Sequence, residues 1–121
     1  MSSTGLAVRL DLDPPTLQAG RPVRWTFTVE NAGAEPQTLH FASGQRGDVV
    51  LEAGGEERYR WSSGRLFAAV LSERALPPGG DWTFSLDDVL TVEPGRYSLL
   101  ATVTARPPLV VRGEVSVGEA A

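Results

Sequence analysis

Histidine, serine and aspartate could together support hydrolytic chemistry, and this chain contains only one histidine, His40. A Ser-His-Asp hydrolase needs that histidine beside a nucleophile and an orienting carboxylate. No Gly-x-Ser-x-Gly turn occurs, and the alternation around His40 places it on the outward face of a strand. We therefore predict that the protein is not an enzyme, that it has no catalytic residues, and that His40 is an ordinary exposed strand residue.

The residues that could hold a metal are also few. One histidine and no cysteine argue against a zinc site. Asp11 with Asp13, and Asp87 with Asp88, could offer oxygen ligands to calcium, but neither pair lies in an EF-hand-type loop. We interpret these carboxylates as turn and outer-face residues, and we predict no metal and no cofactor.

Two further patterns could support binding rather than catalysis. The tripeptide at residues 46–48 is Arg-Gly-Asp, an adhesion motif, but three residues recur easily by chance and a chain without an export signal would seldom meet an integrin. Trp25, Trp61 and Trp82 could pack against sugar rings if their faces were exposed. Trp25 and Trp82 share parity with predicted core residues, which leaves Trp61 as the candidate for a carbohydrate platform.

Composition excludes several classes of partner. The formal net charge is −4 at pH 7 and the pI is about 4.9, whereas nucleic acids and anionic membranes select basic surfaces. A length of 121 residues fits a single domain, residues 1–121. Because the chain has no cysteines and can form no disulfide bonds, packing must stabilise this domain. No export-signal pattern or long apolar run occurs, so we expect a cytoplasmic protein whose ends, residues 1–5 and 118–121, are flexible.

Apolar and polar residues alternate in short segments along most of the chain, as in half-buried strands. Glycine and proline separate the segments at intervals of roughly 8 to 12 residues. The predicted strands lie at residues 6–12, 23–30, 38–41, 49–51, 58–61, 82–86, 97–103 and 111–117. Seven or eight short strands with almost no helix favour an all-β, immunoglobulin-like antiparallel β-sandwich, and a small β-barrel is the alternative.

Local signals also predict how some strands pair. Turn residues at 31–36 predict a hairpin between the strands at 23–30 and 38–41, and the glycines at 54–55 predict a second hairpin. The Trp-Thr-Phe sequence occurs in the strands at 23–30 and 82–86, which suggests that these two lie side by side. Tyr97 follows a Pro-Gly turn and resembles a tyrosine corner. We predict one core that contains Trp25, Phe27, Trp82, Phe84, Tyr97 and Leu99.

Two connections carry the residues best suited to contact a partner, because loops on a rigid β scaffold often hold binding residues. Residues 43–48 predict a polar turn before a strand resumes at Val49. Residues 62–74 have apolar side chains at helical spacing in a run too short for a stable isolated helix, so we predict one or two irregular or helical turns. The candidate partner-binding residues are Ser43, Gly44, Gln45, Arg46, Asp48, Trp61, Gly64, Leu66 and Phe67.

These candidates suit different partners. Leu66 and Phe67 could enter an apolar pocket of a partner, whereas Arg46 suits an acidic pocket. The alternative is structural, with Gly44 and Gly64 as turn residues and Phe67 covering the core. If the two connections lie together, they form a composite binding face.

Four segments between residues 29 and 79 resemble the BsuPI family of bacterial intracellular proteinase inhibitors. They are Val29-Glu30-Asn31, Leu39-His40-Phe41-x-Ser43-Gly44-Gln45-Arg46-x-Asp48, Arg60-Trp61-Ser62-x-Gly64-x-x-Phe67 and Leu76-Pro77-Pro78-Gly79. The chain departs from the family pattern at Gly47, where an aromatic residue is typical. The resemblance implies a non-enzymatic inhibitor of intracellular subtilisin-like serine proteases, with a protease as its protein partner. The alternative is an immunoglobulin-like interaction or regulatory domain without inhibitory activity, because fold does not fix function.

Overall fold

A computed structural model describes residues 5–119, which form ten β-strands and no helix. The strands are β1 (Leu6–Asp13), β2 (Leu17–Gln18), β3 (Pro22–Asn31), β4 (Gln37–Phe41), β5 (Gly47–Ala53), β6 (Glu56–Arg60), β7 (Ser72–Leu76), β8 (Asp81–Val89), β9 (Gly95–Val103) and β10 (Leu109–Gly118). Since the described residues contain no helix, they contain none that could span a membrane. The two strands beyond the predicted eight are β2 and β7, which are short and lack a clear alternating pattern.

The strands form three sheets. One sheet has the order β1-β3-β8, the second β2-β10-β9-β5-β6, and the third consists of β4 and β7. All pairings are antiparallel except the two-residue pairing of β2 with β10. None of the sheets closes on itself, so the all-β sandwich prediction is confirmed and the barrel alternative is not.

The sequence pattern places β3 correctly at the centre of its sheet. This strand pairs with β1 on one side and β8 on the other, and Phe27 lies opposite Phe84 with the two rings stacked 4.8 Å apart. The predicted side-by-side arrangement of the Trp-Thr-Phe strands is therefore confirmed. Alternation along β3 also buries Trp25, Phe27 and Val29 completely.

The core lies between the three-stranded and five-stranded sheets, where the Trp25 ring of β3 contacts the Tyr59 ring of β6 at 6.3 Å. All six predicted core residues join the same hydrophobic cluster: Trp25, Phe27, Tyr97 and Leu99 are buried within it, and Trp82 and Phe84 pack against it. The last two stay partly exposed because β8 is an edge strand. The shared core is thus confirmed.

At Gly47 in β5 the two sheets approach each other closely. A Cβ atom here would lie 2.9 Å from Cε2 of Phe84 and 3.1 Å from the carbonyl oxygen of Thr102. The Phe84 ring already occupies the space that a side chain at position 47 would need, because a closely packed interior has no room for both. Glycine is therefore required here by packing.

The predicted hairpin between β3 and β4 is wrong, because β4 pairs with β7 and not with β3. The buried Asn31 amide explains why the chain leaves the β3 sheet here. Its Nδ2 donates to the carbonyl oxygens of Glu35 (2.8 Å) and Leu76 (3.0 Å), while its Oδ1 accepts from Gly33 N (3.0 Å). These bonds fix the turn after β3 beside the end of β7, so the turn residues at 31–36 connect two sheets.

Other local predictions are confirmed or corrected. The hairpin of β5 and β6 forms around residues 54–55. The Tyr97 hydroxyl donates to the carbonyl oxygen of Glu93 at 2.6 Å, as in a tyrosine corner. Gly118 lies in β10, and its carbonyl oxygen accepts from Ala19 N at 2.9 Å, while the flexibility expected of residues 118–121 stays a prediction. Residues 1–4 and 120–121 of the predicted flexible ends lie outside the described range.

Candidate functional site

The carboxylate of Asp48 joins β5 to the turn that follows β6. Its Oδ1 accepts from the backbone N–H groups of Val49 (2.9 Å) and Ser62 (3.0 Å), and its Oδ2 accepts from the Ser62 hydroxyl (2.6 Å) and from Arg60 (3.2 Å). A carboxylate that accepts several hydrogen bonds also fixes the positions of the groups that donate them. Asp48 therefore anchors the start of the connection between β6 and β7.

Arg60 is itself held by a second carboxylate. Its guanidinium donates to both oxygens of Glu57 over 2.6–3.2 Å. The hydrogen bond to Glu57 raises the pKa of Arg60 and lowers the pKa of Glu57. Arg60 thus remains charged beside the buried Asp48.

Trp61 lies inside the molecule and forms the base of this connection. Its backbone N–H donates to Val49 O at 2.9 Å, and its indole N–H donates to Asp87 O at 3.0 Å. The Arg65 guanidinium lies 4.2 Å from the centre of the indole ring, and Phe67 packs on the same ring at 5.8 Å. Because Trp61 is 9 % exposed, it offers no open face for the carbohydrate platform considered from the sequence.

The β6–β7 connection, residues 61–71, continues without regular structure after a turn at 61–64. Gly64 has φ +77°, a left-handed conformation that favours glycine. From Arg65 to Leu71 the chain is irregular and forms no helix, so of the predicted irregular or helical turns the irregular alternative is confirmed and the helical one is not. Phe67 turns inward onto Trp61, whereas Leu66 is 98 % exposed.

A second connection, residues 42–46 between β4 and β5, supports the first. Gly44 N donates to Ala68 O at 2.8 Å. Arg46 lies over the Phe41 ring at 4.5 Å, and its guanidinium donates to Ser43 O (3.0 Å) and to the Ser72 hydroxyl (3.2 Å). The structure therefore brings the two predicted segments together.

Hydrogen bonds within residues 42–46 point inward. Gln45 N donates to the Ser43 hydroxyl (3.1 Å), the Gln45 amide donates to Gly47 O (3.0 Å), and Thr104 donates its hydroxyl to Gln45 O (2.8 Å). The predicted turn ends earlier than expected, because Gly47 and Asp48 already belong to β5. This segment is a rigid support rather than a freely exposed loop.

The predicted site residues therefore divide into two groups. Gly44, Gly64 and Leu66 are exposed, whereas Asp48 and Trp61 are buried; Ser43, Gln45, Arg46 and Phe67 are half-buried.

Sequence reasoning did not select three residues of the β6–β7 connection. Arg65 donates its Nε–H to Trp61 O at 2.8 Å, and its Nη2 lies 3.2 Å from Asp87 O and 3.4 Å from a carboxylate oxygen of Asp88. Val70 and Leu71 are 58 % and 82 % exposed. The signal that would have found the apolar pair is the absence of a polar alternation from residue 66 to residue 71.

No hydrolytic or metal centre is visible in the described part of the chain. His40 faces outward, as predicted, and its Nδ1 lies 3.1 Å from a carboxylate oxygen of Glu73 in the partner strand β7. Residues 5–119 contain no group of three or more histidine, cysteine, aspartate or glutamate side chains that could hold a metal ion.

Solved structures share this fold at low sequence identity. A sporulation control protein of Bacillus subtilis aligns with a TM-score of 0.57 and 15 % identity over 97 % of this chain and 50 % of its own. An alkylpurine DNA glycosylase of Pseudomonas fluorescens, bound to DNA with an abasic site analogue, aligns with a TM-score of 0.53 and 16 % identity. The alignment covers 95 % of this chain and 31 % of the glycosylase. A Listeria innocua β-glucosidase in complex with glucose aligns with a TM-score of 0.53 and 16 % identity. The alignment covers 93 % of this chain and 16 % of the glucosidase. The chain thus spans half or less of these proteins, and the likeness shows the fold alone.

Sequence comparison defines the family. No curated protein matches the chain. The family described as BsuPI, intracellular proteinase inhibitor, matches residues 10–108, which include β3 to β9 and both connections of the site. The chain belongs to the BsuPI family of intracellular proteinase inhibitors.

Proposed function

We propose that this protein inhibits a subtilisin-like serine protease in the cytoplasm by placing its β6–β7 connection in the substrate cleft. The family supplies the general activity, proteinase inhibition. The protease class and the contact surface are our proposal. No catalytic chemistry of the inhibitor itself is needed, because inhibition requires only occupation of the cleft.

The clustering of exposed apolar residues carries this proposal. Of the five large hydrophobic residues that are exposed in the described part of the chain, three lie in the β6–β7 connection: Leu66, Val70 and Leu71. Apolar side chains gathered on one surface mark interaction sites, whereas scattered ones are ordinary. A subtilisin-like enzyme with a hydrophobic specificity pocket matches these side chains.

The backbone of the connection suits the same partner. Among the described residues, the backbone–backbone hydrogen bond that involves residues 66–71 is the one from Gly44 N to Ala68 O. Peptide groups around Leu66 are therefore available to pair with a strand of the partner, as extended segments do when they add to a sheet edge. Proteases can bind substrate and inhibitor segments in this way.

Arg46 has a supporting role in this proposal. Its guanidinium is occupied by Ser43 O, the Ser72 hydroxyl and the Phe41 ring, and these contacts hold residues 42–46 against the start of β7. An acidic pocket would have to displace all three contacts. A partner with an apolar pocket is therefore the better match.

A titration tests the proposal. Increasing amounts of the protein are added to a subtilisin-like protease at a concentration well above the expected Kd, and residual peptide hydrolysis is measured. Stoichiometric loss of activity supports inhibition, and unchanged activity over several such proteases would favour an interaction domain without inhibitory activity.

Two matched variants locate the contact surface. Leu66→Ala removes an exposed leucine from the connection, and Val110→Ala removes an exposed valine from β10. Losing a central apolar contact costs about 2 kcal/mol or more in binding, whereas residues away from an interface cost little. Equal inhibition by both variants would place the contact surface elsewhere.

A further inference from the structure

We infer that the protein presents the Leu66–Phe67 peptide bond to the protease active site, with Leu66 in the specificity pocket, and that it keeps both ends in place if the bond is cut. This inference rests on the proposed function and specifies the bond and the fate of the complex. It follows from the different environments of two neighbouring side chains. Leu66 is 98 % exposed, whereas Phe67 packs on the buried Trp61 ring.

The residues before the bond are anchored by side-chain contacts. Ser62 donates both its N–H and its hydroxyl to Asp48, at 3.0 and 2.6 Å. Arg65 donates to Trp61 O at 2.8 Å and lies over the indole ring at 4.2 Å. None of these contacts depends on the chain being intact between Leu66 and Phe67.

The residues after the bond are anchored independently. The Phe67 ring lies 5.8 Å from the Trp61 ring, and Ala68 O accepts from Gly44 N at 2.8 Å. Arg65 and Phe67 therefore contact the same indole from the two sides of Leu66. A cut at this bond would leave both new ends attached to one buried side chain.

The chemistry of a serine protease then becomes reversible at this bond. The protease histidine takes the serine proton as the serine oxygen adds to the carbonyl carbon of Leu66, and it passes this proton to Phe67 N as the bond from the carbon to that nitrogen breaks. The product is an ester between Leu66 and the protease serine, with the Phe67 amine held nearby. That amine can attack the ester, restoring the peptide bond and freeing the serine. Slow attack by water instead gives a Leu66 carboxylate and a Phe67 ammonium group.

Retention of the amine favours the return reaction because a tethered nucleophile acts at a high effective concentration. A free peptide substrate differs, since its amine product diffuses away. The same anchors therefore account for inhibition where an unanchored segment of identical sequence would be a substrate. They also predict that the cut form stays folded and continues to inhibit.

The first test measures specificity with the full chain. Leu66→Arg should raise the inhibition constant for subtilisin by at least about 30-fold, the loss expected for a central contact. The same variant should inhibit trypsin, whose specificity pocket is acidic, more strongly than the wild-type chain does. Unchanged inhibition of subtilisin by Leu66→Arg would refute the assignment of Leu66, whereas absence of inhibition by the wild-type chain would refute the proposed function itself.

The second test examines the anchors. After long incubation of the wild-type chain with a catalytic amount of subtilisin, mass spectrometry should show one cut, between Leu66 and Phe67, and the two fragments should elute together under native conditions. Phe67→Ala should give temporary inhibition followed by degradation, while Phe67→Tyr, which keeps the ring, should behave as the wild type. Melting curves establish that each variant is folded. A principal cut at another bond, or lasting inhibition by folded Phe67→Ala, would refute the inference.

Discussion

Replacing Asp48 by alanine should destabilise the protein by about 2–4 kcal/mol, through loss of the hydrogen bonds that this carboxylate accepts. Val49 is fully buried, so its N–H loses its acceptor where water cannot replace it, at a cost of about 1–3 kcal/mol. Ser62 is half-buried, which makes the loss of its two bonds less costly. The Arg60 side chain is 43 % exposed and retains its ion pair with Glu57, so the loss of its bond to Asp48 adds little to the destabilisation.

Two variants serve as controls for this prediction. Asp48→Asn retains one oxygen that can accept from Val49 and Ser62, so it should cost about 1 kcal/mol. Asp11→Ala removes a carboxylate that is 60 % exposed and pairs with Arg9, and it should change stability by less than about 0.5 kcal/mol.

Urea unfolding of the three variants, monitored by tryptophan fluorescence, measures these free energies. Hydrogen exchange adds a local readout, since the amides of Trp61 and Ser62 should exchange faster in Asp48→Ala than in the parent protein. Equal unfolding free energies for Asp48→Ala and Asp11→Ala would refute the idea that the buried carboxylate holds the connection.

Three further predictions concern the scaffold. Gly47→Ala should destabilise the protein because its new methyl group meets the Phe84 ring at 2.9 Å, whereas Gly113→Ala in β10 meets no atom within 4 Å and should be tolerated; thermal melting compares the two. Phe27→Ala should cost about 3–5 kcal/mol in urea unfolding, and a parent-like midpoint would contradict the packing described. Burial, with a hydrogen bond to a β8 carboxylate, raises the pKa of Tyr59. The contribution of this shift to the free energy of unfolding is fully present below the unfolded tyrosine pKa of about 10 and declines as the pH rises above that value. Tyr59→Phe should reduce the decline.

Strand positions were predictable because alternation is a local property that burial of one face imposes. Residues 23–30 and 97–103 show this clearly, and their buried sides are those that the sequence indicates. The β3–β8 pairing was predictable for a different reason, the shared Trp-Thr-Phe segment that places matching aromatic residues on one face. Both inferences use information contained within one or two strands.

The β4–β7 pairing could not be predicted in the same way. Residues 31–36 have the composition of a hairpin turn, and nothing local distinguishes such a turn from one that crosses between sheets. The distinction comes from the Asn31 amide, which binds the carbonyl oxygen of Leu76, 45 positions further along the chain. A long-range contact of one polar side chain therefore decided the topology.

The candidate site was only partly predictable for a related reason. The helical spacing of apolar residues between 66 and 71 did not indicate which of them are buried, because burial depends on what lies beneath each side chain. Trp61 supplies a surface for Phe67 and none for Leu66. Similarly, the charge of Asp48 suggested surface exposure, while its four hydrogen bonds show why it can be buried.

Gly47 relates the core to the family pattern. The resemblance to the family implies an aromatic residue at this position, whereas here a Cβ atom would lie 2.9 Å from the Phe84 ring of the opposite sheet. The packing of Phe84 therefore disfavours a side chain at position 47.

The support beneath Leu66 bears directly on affinity. Fixing the backbone of one residue costs about 1–2 kcal/mol, so a mobile connection of several residues would lose much of its binding free energy on becoming ordered. Here Asp48, Arg65 and Gly44 fix the chain on both sides of Leu66 when the protein folds. In the proposed complex, the apolar contact of Leu66 with the protease would then contribute to affinity without a comparable ordering cost. We therefore propose that the buried carboxylate and the stacked arginine belong to the binding site as much as the exposed leucine does.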